Sequence, residues 1–260
     1  MLLKDKVVVV TGSTRGIGLG IAMKVAQEGG IPVVTGTNME LLEHVLPKQF
    51  SDLGYTQALF LKCDVRQESE VANVMSTAYE KYGRIDCVVA NAGIYDLCPV
   101  VDMSGERWDS LVDINLRGAF LTDKYGIIYM LKNGGGKIVN ISSDVGLRGC
   151  ELQCSYTTSK FGIRGLTQSL AKEYARQNIN VNCLCVGNVD TDMWTHVGKC
   201  LEDYNNRDSE LFREETKESI PMGRFGTPED IGNAAVMLLS DYANYITGAS
   251  VPVSGGSSMN

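Results

Sequence analysis

The sequence predicts one doubly wound α/β domain, in which helices cover both faces of a parallel β-sheet. Short β-branched runs alternate along the chain with segments of helical spacing. Several of these runs are apolar on both faces, as is typical of parallel strands that lie between helices. A glycine-rich turn, TGSTRGIG at residues 11–18, joins the first run to the first helical segment.

The predicted elements follow one another without a linker, a repeat or a low-complexity tract, so residues 1–260 are expected to form a single domain. The seven predicted strands are VVVVT at 7, IPVVT at 31, ALFLKCDV at 58, IDCVVANAG at 85, GKIVNISS at 136, INVNCLCV at 179 and ASVPVSGG at 249. Helical spacing occurs at 16–29, 68–82, 106–131, 156–177 and 228–240. Thr227 and Pro228 mark the start of the last helix, because they suit the cap and the first helical position.

One polar stretch, residues 195–219, interrupts this alternation. A long excursion inside a compact fold is usually a lid or a disordered loop. We therefore expect a substrate lid at about 190–220.

The composition excludes several classes of function. The formal net charge of -7 and the pI near 5.0 argue against a nucleic-acid or anionic-membrane surface. No stretch approaches the roughly 18 uninterrupted apolar residues of a membrane span, and the first residues do not resemble a signal peptide, so a cytoplasmic protein is expected. The eight cysteines lack CxxC spacing and only two histidines are present, so no metal site is expected.

The glycine turn predicts a dinucleotide site of the Rossmann type. Gly12, Gly16 and Gly18 permit a tight turn and let the backbone approach a pyrophosphate at the helix N-terminus, where free N–H groups favour anions. The GK[ST] ending of a P-loop is missing, which disfavours a P-loop kinase or ATPase.

The choice of cofactor depends on the end of the second strand. An acidic residue there normally binds the ribose 2′-hydroxyl of NAD, but no acid lies between Val33 and Asn38. Arg15 and Thr37 offer a charged donor and a hydroxyl to a 2′-phosphate instead, so NADP(H) is predicted. In the alternative interpretation Arg15 is a solvated surface residue and the site accepts either cofactor.

Tyr156 and Lys160 lie one helical turn apart, and Ser143 ends a strand at the edge where open α/β sheets bind ligands. A tyrosine needs a pKa shift of roughly three units, about 4 kcal/mol, to act as an acid or base near neutrality. A lysine about 4 Å away at an effective dielectric near 20 supplies a term of that order. Together with an oxidised nicotinamide, Lys160 is therefore expected to activate Tyr156.

These motifs, with CDV at 63–65, NAG at 91–93 and Asn115 in INL, resemble the classical short-chain dehydrogenase/reductase family over essentially the whole chain. The first half is most similar to 3-oxoacyl-acyl-carrier-protein reductases. The segments SKFGIRGLTQSLA and DTDMW are similar to acetoin and polyol dehydrogenases.

The resemblance implies reversible hydride transfer with Asn115, Ser143, Tyr156 and Lys160 as the catalytic residues. Ser143 would orient the substrate carbonyl and Tyr156 would protonate the developing alkoxide. Lys160 would hold the nicotinamide ribose, and Asn115 would keep a water molecule in a proton relay. The sequence alone favours the interpretation that Asn115 is a helix residue that bonds a neighbouring backbone.

The resemblance also implies the residues around the two ligands. The implied cofactor residues are Gly12, Thr14, Arg15, Gly16, Ile17, Gly18, Thr37, Asp64, Val65, Asn91, Ala92, Gly93, Tyr156, Lys160, Val189 and Thr191. The substrate candidates are Ser143, Tyr156, Tyr95, Gln153 and Trp194. The family's Pro-Gly after the sixth strand is Val186-Gly187 here, which leaves the backbone before Val189 and Thr191 less restrained.

The first expected function is NADP(H)-dependent interconversion of a ketone and a secondary alcohol on a small hydroxy-ketone, diol or polyol. The alternative is a 3-oxoacyl-thioester reductase. A remote alternative is a non-catalytic NADPH-binding sensor, which has no need of the acid/base residues. The resemblance further implies a homotetramer.

Overall fold

The computed structural model describes residues 1–205 and 208–259 and contains one seven-stranded parallel sheet. The strand order is β3-β2-β1-β4-β5-β6-β7, and neighbouring strands are parallel throughout the described residues. The strands are β1 (Val7–Val10), β2 (Ile31–Gly36), β3 (Leu59–Lys62), β4 (Cys87–Ala90), β5 (Gly136–Ser143), β6 (Ile179–Val186) and β7 (Ser250–Val253). The predicted doubly wound Rossmann fold is confirmed.

The five predicted helical segments are helical in the structure, and three further helices among the described residues lie outside them. They are α1 (Gly16–Gln27), α2 (Leu46–Asp52), α3 (Glu68–Tyr82), α4 (Gly105–Val112), α5 (Gly118–Lys132), α6 (Cys154–Tyr174), α7 (Asp192–Asn205), α8 (Ser209–Ser219) and α9 (Pro228–Leu239). Thr227 caps α9 in a capping box with Asp230, as its sequence indicates. The segment predicted as one helix at 106–131 is α4 and α5 joined by a π-helical turn, Asp113–Arg117.

The first strand shows why a run of four valines suits this fold. Val8 and Val10 pack in the apolar layer that contains residues of α1 and α9, such as Ile21 and Ile231. Val7 and Val9 pack in the opposite layer, beside residues of α3 and α5. Successive side chains of a strand point to opposite faces, so both faces must be apolar. Because β1 pairs with β2 on one side and β4 on the other, the strand order reverses there and opens a crevice at the carboxyl edge.

The stretch predicted as a lid or a disordered loop forms two helices, α7 and α8, in its described residues. Val197 and Leu201 of α7 are buried against Leu97 of the loop after β4. Although most residues of this stretch are polar, its apolar residues recur at helical spacing. The apolar stripe that they form packs the two helices against the rest of the domain.

A buried carboxyl group lies between α5 and the sheet. Asp123 is fully buried and accepts a hydrogen bond from Asn140 Nδ2 at 3.0 Å. Its second oxygen, Oδ1, has no hydrogen-bond partner among the described residues. Burial raises the pKa of Asp123 to about 7, and the bond from Asn140 opposes that rise only in part.

This carboxyl group predicts a pH-dependent stability. Because the pKa is higher in the folded protein than in the unfolded chain, the folded protein binds more protons between about pH 4 and about pH 7. The free energy of unfolding should therefore fall as pH rises through that window. The fall should be on the order of 4 kcal/mol over about three pH units. Asp123→Asn should remove most of this fall, measured by urea unfolding at about pH 5 and about pH 8. Equal pH dependence in the two proteins would contradict this assignment.

Candidate active site

The glycine turn lies between β1 and α1 at the carboxyl edge of the sheet. Gly12 and Gly16 have left-handed φ values of 62° and 54°. A Cβ on Gly12 would lie 2.7 Å from Ala92 Cα, and one on Gly18 would lie 2.4 Å from the Gly12 carbonyl oxygen. Helix α1 begins without a side-chain cap at Arg15, so its first N–H groups are available to an anion. The turn thus fits the pyrophosphate of a dinucleotide.

Asn91 of the NAG motif fastens this turn to β4. Its Nδ2 donates to the carbonyl oxygens of Thr11 and Gly12 at 2.9 and 3.0 Å. The Asn91 side chain therefore anchors the turn, and the predicted passage of the NAG backbone beside the adenosine stays a prediction. Asn91 and Thr11 are 80 positions apart in the chain, so no local sequence pattern indicates the bond between them.

The residues predicted for the adenosine end lie at the same edge. Thr37 is exposed and directly follows the last residue of β2. Arg15 is exposed, with Nη1 3.8 Å from Asp192 Oδ2 at the start of α7. Asp64 is paired with Arg66, whose hydrogen bonds lower the pKa of that carboxyl. Val65 is buried against Gly118 of α5.

The predicted catalytic residues converge where β5 ends and α6 begins. Ser143 is the last residue of β5, and Tyr156 and Lys160 lie in the first two turns of α6. Lys160 Nζ lies 5.5 Å from the centroid of the Tyr156 ring and donates to the Ile141 carbonyl oxygen at 2.9 Å. Ser143, Tyr156 and Lys160 are therefore neighbours, as the sequence predicted.

The protein alone does not lower the pKa of Tyr156. Burial raises it to about 12, the nearby Ser143 hydroxyl opposes the rise, and the charge of Asp144 adds to it. Burial also lowers the pKa of Lys160 to about 8. Desolvation therefore outweighs the expected effect of the lysine, and Tyr156 is held in its protonated form at neutral pH.

Asn115 lies inside the π-helical turn between α4 and α5 and is buried. Its Oδ1 accepts from the Ile94 N–H at 2.8 Å, and its Nδ2 donates to the Ile94 carbonyl at 2.9 Å and to Ser159 Oγ at 3.3 Å. These bonds tie the loop after β4 to α6, so the contacts of Asn115 agree with the backbone-bonding interpretation. Single π turns in helices often mark functional sites.

Aromatic and apolar side chains pack together beginning at Tyr95, which contacts Tyr156. The Tyr95 ring meets the Tyr156 ring edge to face, with centroids 5.0 Å apart. Trp194 of α7 stacks on Phe212 of α8 at 5.7 Å and lies 5.1 Å from Phe225. The rings of Tyr95, Trp194 and Phe212 belong to one apolar cluster, the lid cluster. Its members are Tyr95, Leu97, Leu152, Trp194, Val197, Cys200, Leu201 and Phe212.

The other predicted ligand contacts lie around the crevice at the carboxyl edge. Gln153 is the residue before α6, and its Nε2 donates to Cys150 Sγ at 3.1 Å. Thr191 lies across from the glycine turn, because a Cβ on Gly16 would meet its Cγ2 at 3.6 Å. Val189 forms a parallel bridge with Gly226, and β6 pairs with β7 as far as Val186. The sheet therefore restrains the position where the family's proline is replaced.

Two general findings concern only the described residues. Among them, no group of three or more metal-ligating side chains is found. The described helices include none with the length and apolar character that a membrane crossing requires.

A glycine turn on an uncapped helix, with a serine, a tyrosine and a lysine at the same sheet edge, is typical of dinucleotide-dependent oxidoreductases. The family model described as enoyl-(acyl carrier protein) reductase matches residues 12–258. The chain belongs to the short-chain dehydrogenase/reductase family and is a nicotinamide-dependent oxidoreductase acting on CH–OH groups.

Similar proteins extend over the whole chain. The 3-oxoacyl-[acyl-carrier-protein] reductase FabG of Aquifex aeolicus is 38% identical over 254 residues, covering 98% of each chain. That of Thermotoga maritima is 34% identical over 256 residues, covering 98% of this chain and 99% of its own. Among solved structures, a variant of actinorhodin polyketide ketoreductase with NADPH has a TM-score of 0.94 at 32% identity, and levodione reductase has 0.91 at 31%, each covering 98% of both chains.

Proposed function

We propose that the chain is an NADP(H)-dependent ketoreductase that reduces a 3-oxoacyl thioester to the 3-hydroxyacyl thioester. The observation on which this choice depends is that the lid cluster reaches Tyr156 through the Tyr95 ring. An acyl chain that binds beside these side chains buries apolar surface, and that burial favours binding. The FabG relatives support the same choice.

The small hydroxy-ketone, diol or polyol that the sequence favoured first has less support. Each hydroxyl of a polyol loses its water on binding and needs a polar partner in the site. The ring that contacts Tyr156 is that of Tyr95, and the cluster to which Tyr95 belongs is mainly apolar and aromatic, so it offers few such partners. The thioester alternative is therefore the better proposal.

The cofactor proposal is NADP(H). No acidic residue stands at the end of β2, and exposed Arg15 and Thr37 lie beside it at the carboxyl edge. Arg15 faces Asp192 at 3.8 Å across solvent, a weak pairing that a 2′-phosphate can replace. A ketoreductase of the same fold has been solved with NADPH, which supports the proposal.

The proposed roles of the catalytic residues follow from their protonation and position. When bound, NADPH supplies the hydride. Tyr156, protonated at neutral pH, gives its proton to the carbonyl oxygen, and Ser143 donates a hydrogen bond that orients that oxygen. Lys160 holds a cation beneath the tyrosine ring and binds the ribose. The proton relay through Asn115 stays a prediction, as do the other cofactor contacts.

The experiment compares substrates with the purified protein. Acetoacetyl-coenzyme A and its N-acetylcysteamine analogue should be reduced with NADPH at a kcat/KM at least about tenfold above that for diacetyl or acetoin. NADPH should also be preferred over NADH. A higher kcat/KM for diacetyl, or for a polyol with NADP⁺, would restore the first expectation, and a preference for NADH would contradict the role of Arg15.

The predicted oligomer and location stay predictions. A homotetramer is supported by exposed apolar side chains on α5 and α6, such as Phe120, Leu131 and Phe161. The sensor alternative is disfavoured, because the acid/base residues that a sensor does not need lie together.

A further inference from the structure

Asp144, the residue after the catalytic serine, forms a chain of polar contacts from solvent to the active site. Ser143 Oγ donates to Asp144 Oδ1 at 3.1 Å. Arg148 Nη2 donates to Asp144 Oδ2 at 3.3 Å. The Asp144 side chain is largely buried, at 14% exposure, whereas that of Arg148 is 58% exposed. Sequence reasoning named neither residue.

The first contact decides what Ser143 can offer to its neighbours. A serine hydroxyl has one hydrogen and two lone pairs. Because the hydrogen is directed to Asp144, the side of the hydroxyl that faces the cleft presents a lone pair. Toward Tyr156, Ser143 then lacks the donated hydrogen bond that would stabilise a phenolate, so Asp144 opposes the lowering of the Tyr156 pKa that the Ser143 hydroxyl otherwise causes.

The remaining groups around Tyr156 offer little opposing charge. On its own helix, Lys160 directs its ammonium to the Ile141 carbonyl, beneath the ring. From the loop after β4, the neutral Tyr95 ring contacts it, and Asp96 beyond is paired with Arg107.

The groups of two further elements complete these surroundings. Cys183 and Cys185 of β6 lie near Lys160. On α7, His196 Nε2 lies 3.6 Å from Cys200 Sγ. The carboxylate of Asp144 is the charged group that acts directly on Tyr156 from the β5 side.

We propose that Asp144 is a positioning residue for the reaction: its carboxylate, held by Arg148, takes the Ser143 hydrogen and keeps Tyr156 protonated as the proton donor for ketone reduction. Arg148 moderates this effect by neutralising part of the charge. The inference rests on the proposed role of Tyr156. When a ketone binds, Ser143 turns its hydrogen from Asp144 to the ketone oxygen. Asp144 then still accepts the hydrogen bond from Arg148.

A purely structural role for Asp144 predicts something different. Its Oδ1 also accepts from the Val145 N–H at 2.9 Å, which supports the short turn after β5. Asp144→Asn keeps an oxygen for that bond and removes the charge. Arg148→Met leaves the carboxylate and removes its partner. Loosening of the turn would shift the titration midpoint of Tyr156 in the same direction in both variants. The proposed charge effect shifts that midpoint in opposite directions in the two variants.

The test measures ionisation at position 156 directly. A difluorotyrosine, which is more acidic than tyrosine, is introduced at position 156, and its ¹⁹F resonance is followed by NMR as pH is raised. Asp144→Asn should lower the midpoint by about one pH unit, the usual scale of such perturbations. Arg148→Met should raise it by less, because an exposed arginine is screened by solvent. Asp241→Asn, which removes a carboxylate paired with Lys6 far from the site, is the matched control and should leave the midpoint unchanged.

The outcomes separate this inference from the proposed function. Equal midpoints in the parent and Asp144→Asn, or shifts of the same sign in both variants, would overturn the role of Asp144. The titration needs no substrate, so it decides even if acetoacetyl-coenzyme A is not reduced, a result that would count against the proposed function alone. Where the thioester is a substrate, oxidation of 3-hydroxybutyryl-coenzyme A should begin at lower pH in Asp144→Asn.

Discussion

Replacing Tyr156 by phenylalanine is expected to lower kcat for ketone reduction by about 10²- to 10⁴-fold, the usual contribution of a general acid. The phenol is protonated at neutral pH and lies beside Ser143 at the carboxyl edge, where the ketone oxygen is expected. Phenylalanine keeps the ring that packs against Tyr95 but cannot give up a proton. Affinity for NADPH, measured by fluorescence titration, should change little, so the loss should appear in kcat.

The matched control is Tyr82→Phe on α3. It also removes one tyrosine hydroxyl, which donates to the Gln57 carbonyl at 2.6 Å, but it lies away from the carboxyl edge. Its kcat should stay within about twofold of the parent, because distant substitutions seldom alter the reaction centre. A Tyr156→Phe protein that reduces the true substrate at the parental rate would exclude Tyr156 as the acid.

The fold could be predicted because its signals are local. Each strand is a short apolar run, and the alternation of strands with helical segments is visible without tertiary information. Helices α7 and α8 were harder to predict, since they carry many charged residues and only one apolar stripe. Their stability comes from packing on Leu97, a residue about 100 positions earlier.

The site was predicted as a set of residue types at one sheet edge, and its electrostatics were not. Spacing placed Tyr156 and Lys160 on one helix and Ser143 at the end of a strand, and the structure has all three there. The expected lowering of the pKa of Tyr156 counted the charge of Lys160 and left out the cost of burying the two groups. Burial acts on both groups in the folded chain, and it raises the pKa of Tyr156 while lowering that of Lys160.

A methyl group on Gly12 should destabilise the protein before any ligand is added. The φ of 62° costs a residue with a side chain about 1–2 kcal/mol. The new Cβ would also lie 2.7 Å from Ala92 Cα, which is backbone and cannot turn away, and such overpacking costs about 1–3 kcal/mol more. Gly12→Ala should therefore lower the free energy of unfolding by roughly 2–5 kcal/mol, measured by urea unfolding without cofactor.

Two other glycines separate the causes of that loss. Gly83 has a φ of 73° and open space around its Cβ position, so Gly83→Ala should show the left-handed cost alone. Gly16 has a φ of 54°, and its Cβ would meet Thr191 at an ordinary 3.6 Å across the predicted cofactor groove. Gly16→Ala should therefore resemble Gly83→Ala in stability but weaken NADPH binding, which Gly83→Ala should not do. If Gly12→Ala were no less stable than Gly83→Ala, the close approach of the turn to β4 would be wrong, and with it the reason that glycine is required there.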